Sequence, residues 1–185
     1  MLDLKSIDQS WTLFLDRDGV INQENPVGYI LNSRDFELYK GVPEAIEVLS
    51  KKFALIIVVT NQRGVGKGLM TEEALLEIHS KMQQIIQESG GRIDKIYFNT
   101  SVFDQDPLRK PNPGMALQAI SDFPQIDLKK SLIVGNTLSD MEFGRNAGMH
   151  TIFLKTTLPH LELPNPKIDL VFKDLPDFAI ALQKK

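Results

Sequence analysis

Phe53-Ala54-Leu55-Ile56-Ile57-Val58-Val59 is an unbroken apolar run, mostly branched, with no polar position to turn towards water. A run of this kind suits a strand covered on both faces, as in the interior of a parallel sheet. Trp11 to Leu15, Ile93 to Phe98, Ser131 to Val134 and Thr151 to Leu154 repeat the character more briefly, and Asp169 to Phe172 suits a small edge strand. Helical patterns lie between them. Pro43 to Lys52 is one, and Thr71 to Ser89 is another, with Leu75, Ile78, Met82, Ile85 and Ile86 at helical spacing until Gly90-Gly91 stops the run. A third helix is expected to open at Asn112-Pro113, with Asn112 as cap and Pro113 in the first turn. A fourth should run from Leu138 to Gly148 and a last from Leu175 to Leu182. The alternation predicts a doubly wound three-layer α/β/α sandwich with a mainly parallel sheet, whose ligands bind at the carboxyl ends of the strands.

The 185 residues contain no linker-like stretch, so a single domain spanning 1–185 is expected. A net charge of -3 gives no electrostatic reason to bind nucleic acid. The absence of cysteine rules out disulfides and thiolate zinc sites. The first ten residues are polar and the longest apolar run is too short to span a bilayer, which points to a cytoplasmic protein with no membrane partner. Oligomeric state is left open.

Four motifs fall where such a fold puts its chemistry. Leu15-Asp16-Arg17-Asp18-Gly19-Val20 sets two carboxylates one residue apart where an apolar run ends. Alternate strand residues share a face and glycine lets the chain turn away, so Asp16 and Asp18 can lean towards one ligand as nucleophile and proton-transfer group. A strand followed by an acidic turn is the plainer reading. Thr60 to Gly68 is polar and glycine-rich, and the Thr60 hydroxyl with the N–H groups after it can hold phosphate oxygens. It does not match a nucleotide-binding P-loop, because Gly68 stands where Ser or Thr is needed and Asn61 where glycine is needed. Its glycines could also serve only to build a tight loop. Arg109-Lys110-Pro111-Asn112-Pro113-Gly114-Met115 places a cation ahead of a helix, where Lys110 could neutralise a phosphate and a neighbouring aspartate, although a lone lysine before proline usually reads as solvated. In Gly135-Asn136-Thr137-Leu138-Ser139-Asp140, the residues Asn136 and Asp140 share one side of an opening helical turn and could reach one hard cation. Asp140 could instead simply favour the helix dipole.

Taken in order, these motifs resemble the haloacid dehalogenase superfamily, over roughly Trp11 to Leu154. The longer strings Phe14 to Asn22, Val59 to Gly64 and Arg109 to Met115 look like the branch containing heptose bisphosphate and histidinol-phosphate phosphatases. The resemblance implies a magnesium-dependent phosphatase acting on a small phosphorylated metabolite. Asp16 would attack phosphorus to give an aspartyl-phosphate, while Asp18 protonates the leaving alcohol and later activates water. The Asp16 side chain, the Asp18 carbonyl and Asn136 would hold Mg²⁺, with Asp140 in support, and Thr60, the Asn61 backbone and Lys110 would grip the phosphoryl oxygens. The spacing of 44 positions from Asp16 to Thr60 leaves room for a short flap near Gly19 to Leu38 but no large cap domain. Selectivity would then fall to Asn22, Gln62, Arg63 and Arg109, bonding a sugar hydroxyl or second phosphate.

The chain departs from the family pattern twice. Gly135-Asn136 stands where Gly-Asp is usual, which removes one negative charge from the metal shell and opens the alternative of a weakly active or non-catalytic phosphosugar-binding protein. The heptose branch commonly has a zinc loop with Cys and His before Arg-Lys-Pro, but Asn99 to Leu108 has neither. No zinc is expected, and packing with backbone hydrogen bonds should hold that loop. Histidinol-phosphate phosphatase and nucleic-acid 3′-phosphatase activities remain alternatives, the latter disfavoured by the acidic balance. His79, His150 and His160 lack ligand spacing and read as structural or surface residues, and Trp11 as core or rim.

Overall fold

The computed structural model describes residues 2–184. Six parallel strands form the sheet: β1 (Thr12–Leu15), β2 (Leu55–Asn61), β3 (Lys95–Asn99), β4 (Ser131–Gly135), β5 (His150–Leu154) and β6 (Leu170–Phe172), in the order β3-β2-β1-β4-β5-β6. β1 is central, with Leu15 level with Val58 on one side and Val134 on the other. The chain leaves β1 towards β2 and returns to its opposite side as β4, so the order reverses at β1 and β4. A crevice opens there at the carboxyl ends of the strands.

Alternation along the strands explains the two cores. Leu13, Leu15, Ile56, Val58, Leu132 and Val134 face one layer, where α1 (Val42–Ser50), α3 (Glu72–Glu88) and α6 (Leu175–Gln183) supply Leu49, Ile78, Met82 and Phe178. Phe14, Ile57, Val59 and Ile133 face the other, against Met115 and Ala119 of α4 (Gly114–Asp122) and Phe143 of α5 (Leu138–Ala147). Ile56 through Val59 are all fully buried, as a doubly covered strand requires.

The structure differs from the sequence expectation in places. β2 runs on through Thr60 and Asn61, because ladder pairing with Phe98 and Asn99 of β3 carries the polar tip into the sheet. The segment after it contains a single helical turn, α2 (Arg63–Gly66), rather than only loop. α4 begins at Gly114 with Pro113 as its cap and no side-chain cap bond. Asn112 instead donates to the carbonyls of Asp104 and Asp106, at 3.1 and 2.8 Å, so tertiary partners outcompete the local cap.

α3 also reaches under the β1 turn. His79, 4% exposed, accepts from Arg17 Nη1 across 3.2 Å, and since a guanidinium only donates, Nε2 is the acceptor of a neutral ring. Burial first, and the Arg17 charge second, push its pKa down from 6.5 to about 3. His150 stacks on the buried Trp11 with ring centroids 5.5 Å apart, and His160 is exposed in a loop.

Two measurements follow from this packing. A Cβ at Gly144 of α5 would fall 2.5 Å from Ile133 Cγ2 and 2.6 Å from Thr151 Cγ2. Gly144→Ala is expected to lose about 1–3 kcal/mol through overpacking, more than the ~1 kcal/mol helix propensity it gains. A rise in the urea midpoint would contradict that packing. For His79, the unfolded state takes a proton near pH 6.5 and the folded state only near 3, so the contribution is complete above 6.5 and is lost as pH falls through that window. Between pH 6 and pH 5 the wild type should lose about 1 kcal/mol more than His79→Gln, by urea denaturation of both proteins. Equal losses would show that the ring is not held neutral.

Candidate active site

β1 ends by pairing Asp16 N–H to the Val134 carbonyl at 3.0 Å, which fixes Asp16 at the lip of the crevice. The chain then turns through Gly19, at φ +80°, where a Cβ would lie only 2.0 Å from Asn136 Nδ2. Glycine is required there both for the left-handed backbone and for the approach of β4's loop. The Thr156 hydroxyl after β5 donates to the Gly19 carbonyl at 2.6 Å and pins the turn from the far side.

Lys110 is the centre of the site. Its ammonium donates to Asp16 Oδ1 at 2.8 Å, Asp140 Oδ1 at 2.6 Å and the Val59 carbonyl at 2.9 Å, with the residue 4% exposed. The lone lysine that sequence would leave in solvent is buried because two carboxylates and a strand-end carbonyl take all its donors. Burial disfavours its charge, but Asp140 and Asp16 more than offset this, and its pKa is raised. Asn61 sets its position with a reciprocal pair: Lys110 N–H donates to Asn61 Oδ1 and Asn61 Nδ2 to the Lys110 carbonyl, each at 3.0 Å.

The two aspartates of the first motif sit in opposed environments. Burial and the nearby Asp140 charge raise Asp16 to about 7, against the pull of Lys110. Asp18 is half-buried, and its partial desolvation opposes its charge, yet Arg17 and hydrogen bonds from Asn22, Arg17 and Gln62 bring its pKa below the ordinary value. Arg17 Nη2 reaches both Asp18 oxygens at 2.9 and 3.0 Å, Asn22 Nδ2 reaches Oδ1 at 2.9 Å and Gln62 Nε2 reaches Oδ2 at 2.8 Å. Gln62 Nε2 also donates to Thr60 Oγ1 at 2.8 Å, so the buried Thr60 hydroxyl keeps its own hydrogen for another acceptor.

Several expected residues lie elsewhere than anticipated. Asn22 is fully buried behind Asp18, because its amide also serves the Gln23 carbonyl, and it cannot meet a substrate directly. The Gln62 N–H donates to the Asn99 carbonyl at 2.7 Å, which removes it from the N–H groups free to meet phosphate. Asp140 does not turn a free oxygen towards Asn136: Oδ1 is held by Lys110 and Oδ2 by the Thr137 N–H and hydroxyl of the α5 cap. Arg63 and Arg109 converge on Asp104, Arg109 Nε at 3.3 Å, with Arg109 also on the Ser101 carbonyl. The loop from Asn99 to Leu108 is held by backbone bonds, Asp106 N–H to the Phe103 carbonyl at 3.2 Å and Gly114 N–H to the Pro107 carbonyl at 3.0 Å among them, and beyond the expectation also by these ion pairs, by Asn99 Nδ2 on Asp106 Oδ1 at 3.0 Å and by the Asn112 bonds.

Asn136 carries the clearest mark of a ligand site. It is fully buried, Nδ2 donates to Thr157 Oγ1 at 2.8 Å, and Oδ1 has no partner. A buried carbonyl oxygen without a donor is costly, and a cation would satisfy it. Among the described residues no three His, Cys, Asp or Glu side chains cluster as a metal site. A set made of the Asp16 carboxylate, the Asp18 carbonyl and Asn136 Oδ1 is instead all hard oxygen, which fits Mg²⁺. Beside it, a pocket of about 190 Å³ is lined by Asp18, Glu24, Tyr29, Asn61 and Gln62, part from the flap and part from the strand ends. Arg17, His79, Thr156 and Thr157 join the site without belonging to the residues whose pattern in the sequence points to it. Only the position of Arg17 between the aspartates was a signal; the others arrive from distant chain.

Known proteins resemble this chain in sequence and in fold. The model of the family described as polynucleotide kinase 3 phosphatase matches residues 12–155. The D-glycero-alpha-D-manno-heptose-1,7-bisphosphate 7-phosphatase of Mycobacterium tuberculosis is 39% identical over 74% of this chain and 72% of its own length. The beta-anomer counterpart of Vibrio cholerae is 33% identical over 93% of this chain and 97% of its own. The crystal structure of D,D-heptose 1,7-bisphosphate phosphatase from B. bronchiseptica, complexed with magnesium and phosphate, has a TM-score of 0.84 at 29% identity, covering 94% of this chain and 98% of that one. No described helix is long and apolar enough to cross a membrane. A carboxylate-lysine-carboxylate triad at the switch point of a parallel sheet, in a chain matched this fully, makes the protein a phosphatase of the haloacid dehalogenase superfamily, belonging to the polynucleotide kinase 3 phosphatase family.

Proposed function

We propose that the protein hydrolyses a small sugar phosphate of the heptose 1,7-bisphosphate type, by way of an aspartyl-phosphate on Asp16, as one catalytic unit of residues 1–185 in the cytoplasm. The observation that carries this reading is the Lys110 ammonium 2.8 Å from Asp16 Oδ1, with Asp18 lining the adjoining pocket. A carboxylate meets a phosphate only where positive charge offsets their repulsion, and Lys110 is held at that point.

The residues divide the work. An Asp16 oxygen bonds to phosphorus as the bond to the sugar oxygen breaks, and Asp18 gives that oxygen its proton. Asp18 is held as a carboxylate by Arg17, Asn22 and Gln62, but an incoming phosphate dianion raises its proton affinity, so it is loaded as the substrate binds. In the second half Asp18 takes a proton from water, whose oxygen bonds to phosphorus while the bond to Asp16 breaks. Thr60 donates its free hydroxyl hydrogen to a phosphoryl oxygen and the Asn61 N–H donates to another, while Lys110, its donors committed to Asp16, Asp140 and the Val59 carbonyl, attracts the phosphoryl group through its charge. The Asp16 carboxylate, the Asp18 carbonyl and Asn136 Oδ1 would hold Mg²⁺, which would supply Lewis-acid charge neutralisation and favour the ionised form of Asp16. Asp140 acts through Lys110. Arg63 and Arg109, both paired to Asp104, are the cations this reading assigns to a second phosphate.

The family model's description favours a second reading, removal of a 3′-phosphate from a nucleic-acid end. The net charge of -3 weighs against it. Phosphate release with Mg²⁺ from both anomers of heptose bisphosphate, heptose monophosphate, histidinol phosphate and a 3′-phosphorylated oligonucleotide separates the readings, with heptose bisphosphate expected to have the highest kcat/KM. Asp16→Asn should lower turnover by on the order of 10³-fold or more, with the fold intact by circular dichroism. Turnover equal to wild type in Asp16→Asn would end the covalent mechanism, and preference for the oligonucleotide would end the sugar-phosphate assignment.

A further inference from the structure

The Asn136 amide is held by its nitrogen end. Nδ2 donates to Thr157 Oγ1 at 2.8 Å and reaches Glu24 Oε2 at 3.5 Å, which leaves the partnerless Oδ1 as the end that faces a ligand. Glu24 belongs to the flap between β1 and α1, yet its place is well determined. The Gly19 N–H donates to the Asn22 carbonyl at 2.8 Å, Gln23 N–H to the Glu37 carbonyl at 2.9 Å and Tyr39 N–H to the Ile21 carbonyl at 3.1 Å, so the residues just before Glu24 are tied on two sides. The Glu24 carboxylate and the Asn136 amide crowd the same spot over Gly19, at 3.1 and 2.0 Å from where a Cβ would stand.

We propose that Glu24 and Asn136 form a charge-exchanged pair. The amide contributes a neutral oxygen to the divalent-cation site, and the flap carboxylate both orients that amide and supplies the negative charge it lacks. An amide and a carboxylate have the same shape, but only the amide has hydrogens to offer Glu24. An aspartate at 136 would face Glu24 as a like charge, and a glutamine at 24 would leave the cation site short of one charge. Cation affinity is therefore divided between the β4 loop and the flap, so that flap position and metal occupancy depend on each other. The proposal rests on the reading of Asp16 and Asn136 as cation ligands, and goes beyond it in giving Glu24 a part in cation binding.

A double-mutant cycle on the whole chain tests it, with Mn²⁺ binding by electron paramagnetic resonance and urea midpoints in EDTA as readouts. Glu24→Gln should weaken Mn²⁺ binding by about three- to tenfold in the wild-type background, and by less than about twofold, or with reversed sign, in Asn136→Asp. In EDTA, Asn136→Asp should lower the urea midpoint and Glu24→Gln should restore part of the loss, because one of the opposed carboxylates is gone. Glu24→Gln without effect on Mn²⁺ in either background, or strictly additive urea midpoints, would overturn the pair while leaving the phosphatase reading intact. Wild-type protein that binds no Mn²⁺, or binds it equally after Asp16→Asn, would overturn the cation site and the pair together.

Discussion

A single ammonium group holds four separate parts of this protein in register. Lys110 Nζ lies within 2.9 Å of the end of β1 through Asp16, the end of β2 through the Val59 carbonyl, and the first turn of α5 through Asp140, and its own loop is fixed to β2 by Asn61. Removing a lysine and two carboxylates from water costs several kcal/mol for each ion, so such a cluster is poor as a source of stability. Its worth is positional. With every donor and most acceptors used, the reacting carboxylate has one place to be before substrate arrives.

The second aspartate is held in the opposite way. Asp18 takes the guanidinium of Arg17 and the amides of Asn22 and Gln62, while Asp16 shares one cation with Asp140. Two carboxylates one residue apart thus differ in proton affinity in a direction set by their partners as well as by depth, Asp16 being buried and Asp18 half-buried. His79 extends this support to α3, because a neutral imidazole accepts from the same guanidinium without competing for its charge. The resulting site is negative on balance, with three aspartates against Lys110 and Arg17 and with Glu24 at the edge, which is the condition a divalent cation answers.

The fold was legible because its signals are local. Ile56 to Val59 are buried on both faces as their unbroken apolar character requires, the helical stretch expected from Thr71 to Ser89 is α3 with its two end residues as caps, and Gly148 closes α5 in the left-handed conformation. The expectations that failed were those decided by competition between distant groups. Asn112 could cap a helix or hold a loop, and the carbonyls of Asp104 and Asp106 won. Asn22 has the polarity of a substrate-binding residue, but the need to hold Asp18 draws its amide inward, whereas Gln62 holds Asp18 and still lines the pocket.

By itself, the sequence determined the number and kind of layers, the placing of Asp16, Thr60, Lys110 and Asn136 at strand ends or ahead of a helix, and the absence of thiolate ligands. Periodicity, turn chemistry and residue type act over a few positions, and no later event changes them. Tertiary structure alone decided which end of the Asn136 amide faces inward, that Asp140 serves Lys110 and its own helix cap, and that Glu24, His79, Thr156 and Thr157 attend the site. These depend on which donors and acceptors meet when segments more than a hundred residues apart in some cases are packed together, and a buried polar group takes the partner that arrives.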